Sequence, residues 1–272
     1  MKVRHLLFAA ILSGLTLTGL IFLGLSRHVM RESFDKIERS QAAHQIKIVR
    51  AALNQQLQSL HSLNTDWGNW DDCYEYALGK RPEFAESNLQ PSGLNNSTGL
   101  TAVLFLQPDL SVISLARSDS PLASLLTAKA IKEEAEKCGL WGPKGGTAMF
   151  GLGGHPFLAS VLPILKSDGS GPSAGQIIML RSLSGSVKDN LELAVCRPLQ
   201  LTIRPSFAAG AARLNDEVSF GQESATATVR VLDSTGSSMA DLSMTLPLTA
   251  LAAGREAENW MLIQLLGAGI LL

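Results

Sequence analysis

Apolar residues change rhythm along this chain, and each change marks a different kind of element. From Leu6 to Leu25 the sequence reads LLFAAILSGLTLTGLIFLGL, twenty residues without a charge. At about 1.5 Å per residue a helix of that length matches the roughly 30 Å hydrocarbon core of a bilayer. A secretory leader is the competing reading, but its apolar region is only about 7 to 15 residues long and ends in a small-x-small cleavage site. Here Arg27-His28-Val29-Met30-Arg31 follows Ser26 instead. The pattern predicts a retained transmembrane helix over 6–25 and a cytoplasmic N-terminus over 1–5. Basic residues flank the run on both sides, so the positive-inside rule alone leaves the orientation open.

Between Ser26 and Trp67 there is neither Gly nor Pro, and apolar residues recur at Ile46, Val49, Leu53, Leu57, Leu60, Leu63, Trp67, Trp70 and Tyr74. Gaps of three and four are helical spacing. A helix continuing from the membrane through Tyr76 would be roughly 75 Å long. Part of it would project from a compact domain or pack on a partner, and a parallel homodimer is one way to bury it. A single amphipathic core helix is the simpler alternative.

The rhythm then shortens. Lys80 to Gly99, with Pro82, Pro91 and Gly93, reads as loop. Residues 101–117 read as a β-hairpin turning at Pro108-Asp109. Ser120-Pro121 and Gly139 bracket a helix over 121–138. TAMFGL, PFLASVLPIL and AGQIIMLR are strand candidates, with Ser167-Asp168-Gly169-Ser170-Gly171-Pro172 as the clearest turn signal. A short helix is expected over 186–195. Residues 197–225 give the weakest pattern, and a last hairpin turns at Ser234-Thr235-Gly236. Residues 246–272 return as helix. This order predicts an α+β fold, a long N-terminal helix packed on an antiparallel sheet.

Trp260 opens WMLIQLLGAGILL, thirteen mostly apolar residues that run to the end of the sequence. They are too few to span a bilayer and read as the start, over 260–272, of a truncated second transmembrane helix with Trp260 at the interface. On that reading residues 26–259 form one extracytoplasmic domain whose two ends face the same membrane. A buried C-terminal helix is the alternative.

Composition narrows the chemistry. With 23 basic and 24 acidic residues the net charge is −1, so no overall field draws the protein to nucleic acid. Cys73, Cys138 and Cys196 are widely spaced, which leaves their redox state open. The glycines at 145, 146, 151, 153 and 154 fit neither dinucleotide fingerprint nor P-loop. The five histidines make no H-E-x-x-H, and there is no G-x-S-x-G elbow. No catalytic residue, metal site or cofactor is therefore expected.

The densest chemistry lies in Asp66-Trp67-Gly68-Asn69-Trp70-Asp71-Asp72-Cys73-Tyr74. On a continuous helix Leu60, Leu63, Trp70 and Tyr74 fall within about 60° of Trp67, so the aromatics extend the apolar stripe. Asp72 falls about 140° away, whereas Asp71 falls about 40° from Trp67, inside the stripe, and Asp66 lies at its other edge. A carboxylate among aromatics suits a cationic or hydrogen-bonding small molecule. It equally suits a structural pairing with a backbone N–H or an Arg. Asp66, Trp67, Trp70, Asp71 and Tyr74 are the candidate ligand-binding residues.

Several blocks together resemble a known family. The span, FDKIER at 34–39, DWGNWDDCYEY at 66–76, GLTAVLFLQPDLSVI, and LPILKSDGSGPSAGQIIMLRSLS are similar to the fourth class of CHASE domains, the cyclase- and histidine-kinase-associated sensory extracellular domains. The resemblance covers about residues 34–245, with Cys73 where Thr or another small residue is expected. It implies a Cache/PAS-like sensor flanked by transmembrane helices in the inner membrane of a bacterium or archaeon. It also implies a cytoplasmic diguanylate cyclase, phosphodiesterase or histidine kinase output absent from these residues, and it leaves the expected small-molecule ligand undefined. A membrane-anchored envelope structural or binding protein is the alternative.

Overall fold

The computed structural model describes residues 2–204, 216–233 and 236–270. The chain divides into two compact units. One comprises Met1–Gln45, Val218–Ala227 and Thr245–Leu272, and the other Ile46–Glu217 and Thr228–Met244.

The larger unit is built on a five-stranded antiparallel sheet of order β2-β1-β5-β4-β3. Its strands are β1 (Ala102–Leu106), β2 (Val112–Arg117), β3 (Gly146–Leu152), β4 (His155–Ile164) and β5 (Gly175–Ser182). The central strands are buried on both faces, which explains their near-continuous apolar runs. One face carries Leu104, Leu106, Phe150, Phe157, Val161, Ile178 and Leu180, packed with Leu126, Ile131 and Ala135. Burying each of the phenylalanines contributes about 2 to 3 kcal/mol. The helix behind that face is α5 (Ala128–Lys137), whose N-cap Thr127 hydroxyl accepts the Ala130 N–H at 3.2 Å.

The other face receives the end of α1 (Lys2–Gly68). Asn64 is fully buried there, and its amide donates to the Ser160 carbonyl at 2.9 Å, the Ser160 hydroxyl at 3.0 Å and the Ile177 carbonyl at 3.4 Å. One side chain thus ties α1 to two adjacent strands. Farther up the same helix, Arg50 makes a two-pronged pair with Asp216, 2.6 Å on each prong.

Three expectations are corrected. The helix does not run through Tyr76: α1 stops at Gly68, and α2 (Asp71–Ala77) begins after an extended Trp70. The stretch after Lys80 is not loop but holds α3 (Glu83–Asn88) and α4 (Pro91–Thr98). Pro91 occupies the first turn of α4, and Gly99, at φ +66°, ends it with its N–H on the Asn95 carbonyl. The helix expected over 121–138 is split into a 3-10 turn at Pro121–Leu125 and α5, because Leu126 extends to bury its side chain in the core.

The expected α6 (Ser186–Val195) is present. A four-stranded sheet of order β6-β9-β8-β7 follows, from β6 (Gln200–Ile203), β7 (Glu217–Phe220), β8 (Ser224–Leu232) and β9 (Ser238–Pro247). Residues 205–215, and Ser234-Thr235 of the expected last turn, lie outside the described residues.

In the smaller unit α7 (Thr249–Ile270) runs beside α1. The Glu38 carboxylate accepts the Ala250 N–H at 2.8 Å, and the Phe34 ring lies against Gly254. Arg39 stacks over Phe220, 4.9 Å from the ring centre. Among the described residues, no helix is long and apolar enough to cross a membrane. The uncharged run 6–25 lies within α1, but the side chains of Leu6, Phe8, Ala9, Leu12, Leu15 and Thr16 are outside the described set, as are those of 265–270.

Asn64→Ala is expected to lower stability by roughly 1 to 3 kcal/mol, because two strand carbonyls lose a buried donor. Asn64→Asp is expected to cost more, since it sets a buried carboxylate against those carbonyls. Urea denaturation of both variants checks the order, and an aspartate variant as stable as the alanine one would contradict it.

Candidate functional site

The dense motif straddles the break between α1 and α2. At the last residue of α1 the Gly68 carbonyl accepts the Leu165 N–H at 2.7 Å. A Cβ at Gly68 would lie 3.1 Å from the Pro163 carbonyl oxygen, so the helix end sits directly on the strand. Trp70 turns the chain at φ −94°, ψ 125°, and Asp71 restarts the helix.

That restart rotates Asp71 out of the apolar stripe. The residue is exposed at the first position of α2, where a carboxylate complements the helix dipole. Its two oxygens accept the Ser167 N–H at 2.9 Å and the Ser167 hydroxyl at 2.8 Å. These two bonds hold its carboxyl below the usual carboxylate range, with Lys166 adding to the effect and Asp168 opposing it. One turn on, the Tyr74 hydroxyl donates to the Pro172 carbonyl at 3.1 Å. α2 therefore grips both ends of the 167–172 loop. The loop also braces itself, the Asp168 carboxylate accepting the Ser170 N–H at 2.8 Å.

The tryptophans do other work. Phe84 of α3, 3% exposed, is the hub of an aromatic cluster. Trp67 and Trp70 meet it edge-on at 5.9 and 5.6 Å, Tyr76 stacks on it at 5.2 Å, and Phe105 of β1 closes the set at 6.1 Å. Such pairs each contribute about 0.5 to 1.5 kcal/mol beyond area burial. Asp66 is exposed on α1, and Asp72 pairs with Arg81. Cys73 is fully buried, and burial pushes its thiol up to about 12. Cys196, at φ +52°, is exposed.

Two adjoining clefts share Tyr74 and Leu78 as walls. The first, ≈ 390 Å³, is polar, with Asp71, Glu75, Lys80, Lys166, Ser167 and Asp168. The second, ≈ 540 Å³, adds the apolar surfaces of Ala77, Pro108, Val112, Ile113, Pro172 and Ala174. Lys166 reaches over the Tyr74 ring at 5.8 Å. The structure thus brings Asp71 and Tyr74 to one concave surface, sets Trp67 and Trp70 in the cluster beside it, and leaves Asp66 apart. Lys80, Lys166, Ser167 and Asp168 escaped the sequence reading. The turn signal marked the loop of Ser167 and Asp168, but not its pairing with α2.

Such a surface offers hydrogen-bonding and charged groups to a ligand, with the Ser167 hydroxyl already engaged by the Asp71 carboxylate. Among the described residues no group of three or more His, Cys, Asp or Glu is placed to hold a metal ion.

Because Asp71 has a depressed folded-state pKa, its stabilising contribution is complete above the unfolded value of about 3.9 and is lost as pH falls through the lower folded one. Asp71→Asn should melt at a lower temperature near neutral pH, and the two proteins should converge in acid. Thermal melts across the acid range check this, and a deficit unchanged down to about pH 2 would remove ionisation from the account.

A family model described as the CHASE4 domain matches residues 52–202, a narrower stretch than the blocks noted in the sequence. It contains the joint, the gripped loop and the whole five-stranded sheet. None of the curated proteins matches the chain. Among solved structures, the periplasmic domain of Vibrio cholerae LuxQ is similar at a TM-score of 0.51 and 8% identity, over 76% of this chain and 98% of that one. A domain of a putative sensory box/GGDEF family protein from Vibrio parahaemolyticus gives 0.48 at 13% identity, over 80% and 99%. The ligand-binding domain of the Campylobacter jejuni chemoreceptor Tlp3, in complex with L-valine, gives 0.40 at 13%, over 84% and 98%. The likeness to LuxQ is one of fold. The family match takes in more than half of the 272 residues, and the chain belongs to the CHASE4 family of sensory extracellular domains.

Proposed function

We propose that these residues are the extracytoplasmic sensor of an inner-membrane signalling protein, anchored by a span over 6–25 and by a second span that starts at Trp260. The domain relays ligand or envelope state to a cytoplasmic output, a diguanylate cyclase, a phosphodiesterase or a histidine kinase. It has no catalysis of its own.

The observation that carries this reading is the register of α1 and α7. Phe34 meets Gly254 and Glu38 meets Ala250, so the two helices run antiparallel with residue numbers that total 288 at each contact. Carried nine residues along both helices, the same register sets Leu25, the last residue of the first apolar run, level with Ile263. Ile263 lies just inside the run opened by Trp260, and both residues are apolar and exposed. Two runs that begin at one height suit one membrane plane. Exposed Val29 and Ile37 on α1 support a second copy alongside, giving a homodimer.

The ligand in this reading is a small molecule held in the clefts beside Tyr74, with Asp71 and the 167–172 loop at the polar end. Asp66, Trp67 and Trp70 complete the candidate set through the α1–α2 joint. Binding there would shift the loop against α2, and through the joint it would bias α1, a two-state coupling.

Cys196 is a built-in topology reporter, since it is exposed while Cys73 is buried with a raised pKa. In intact bacteria a membrane-impermeant maleimide is expected to label Cys196 from outside the inner membrane, and the protein is expected to stay in the pellet after carbonate extraction. Labelling only after lysis, or release by carbonate, would contradict the reading.

A further inference from the structure

Gly254 stands near the middle of the first half of α7, where glycine costs about 1 kcal/mol relative to alanine. Its place is explained by what lies against it: a Cβ there would strike the Cε2 and Cδ2 atoms of the Phe34 ring. One turn away on each helix, Glu38 is 4% exposed and its carboxylate accepts the Ala250 N–H. Ala250 is the second residue of α7, so its N–H has no partner within the helix. Phe34 and Glu38 share one face of α1, as residues four apart do. That face continues through Ala42, 1% exposed, in one direction and Leu23, 7% exposed, in the other.

From this pairing we propose that Phe34 on Gly254, backed by Glu38 on the N-terminus of α7, is a register lock. It forces α1 and α7 to transmit as a pair that tilts or turns about this point, and it forbids one helix sliding along the other. The proposal rests on the reading of these helices as the transmitting elements. A slide would carry the ring off the glycine and onto the Cβ atoms a turn away, about 5.4 Å along the axis. The same slide would strip Glu38 from the Ala250 N–H and so remove a hydrogen bond from a buried carboxylate. Sliding therefore breaks a steric fit and a buried hydrogen bond together. Tilting about the ring breaks neither.

Disulfide scanning in membranes tests the lock on the full chain, with Cys138→Ser and Cys196→Ser removing the more accessible thiols. Leu262→Cys is paired in turn with Leu23→Cys, Ser26→Cys or Met30→Cys, all on the buried or half-buried side of α1. The register places residue 26 opposite 262, and a disulfide needs Cα atoms within about 7 Å. The Ser26 pair is expected to cross-link roughly tenfold faster than either neighbour one turn away. Phe34→Ala, which removes the ring without crowding, is expected to level the three rates, and Gly254→Leu to move the maximum off residue 26. Comparable rates for all three pairs in the parent chain, or a profile unchanged in both variants, would overturn the lock. The impermeant-maleimide labelling of Cys196 does not depend on helix register, so failure of the topology and failure of the lock remain distinguishable.

Discussion

α1 can go no farther than Gly68. Its last residue lies so close to β4 that the Pro163 carbonyl occupies the space beside any Cβ, and its carbonyl takes the Leu165 N–H. A helix that continued would drive its next turn into the strand, so the backbone extends at Trp70 and begins again as α2. That single steric limit fixes where Asp71 and Tyr74 stand and which loop they can reach. Asn64, one turn earlier, holds the helix to β4 and β5, so the sheet sets the end of α1 together with the Gly68-Asn69 pair.

The consequence is a joint with two grips. On one side α2 holds the 167–172 loop by its carboxylate and its phenol; on the other, Trp67 and Trp70 close on Phe84, which in turn meets Phe105 of the sheet. The polar grip is made of few bonds, with its Asp71 end exposed, while the aromatic one centres on the buried rings of Phe84 and Phe105. An element held this way can shift at its loop without losing its core, a property a sensor needs. The clefts beside Tyr74 open at the weaker of the two grips.

Much of the fold was legible because its signals are local. The hairpin over 101–117, the strands of the large sheet and the helix over 186–195 each carry a period or an apolar run bounded by Gly, Pro or Ser. The joint was not legible from periodicity, since Trp67, Trp70 and Tyr74 keep helical spacing across a break. The Gly68-Asn69 pair was the available stop signal, and once it is honoured Asp71 no longer belongs to the stripe. Pro91 and Gly99 likewise read as loop punctuation although they are the two ends of α4. Phe84, the aromatic hub, was hidden inside that supposed loop. The bonds from Ser167 to Asp71 join residues 96 apart, and nothing local announces them.

The contact of Gly68 with the end of β4 and the connection that follows it organises the site. Hydrogen exchange of individual amides in the parent chain and in Gly68→Ala measures it most directly. Faster exchange is expected at the Leu165 and Ser167 amides together, with the strands of the large sheet keeping their protection. Unchanged exchange at both amides, or a loss spread evenly over the whole sheet, would contradict it.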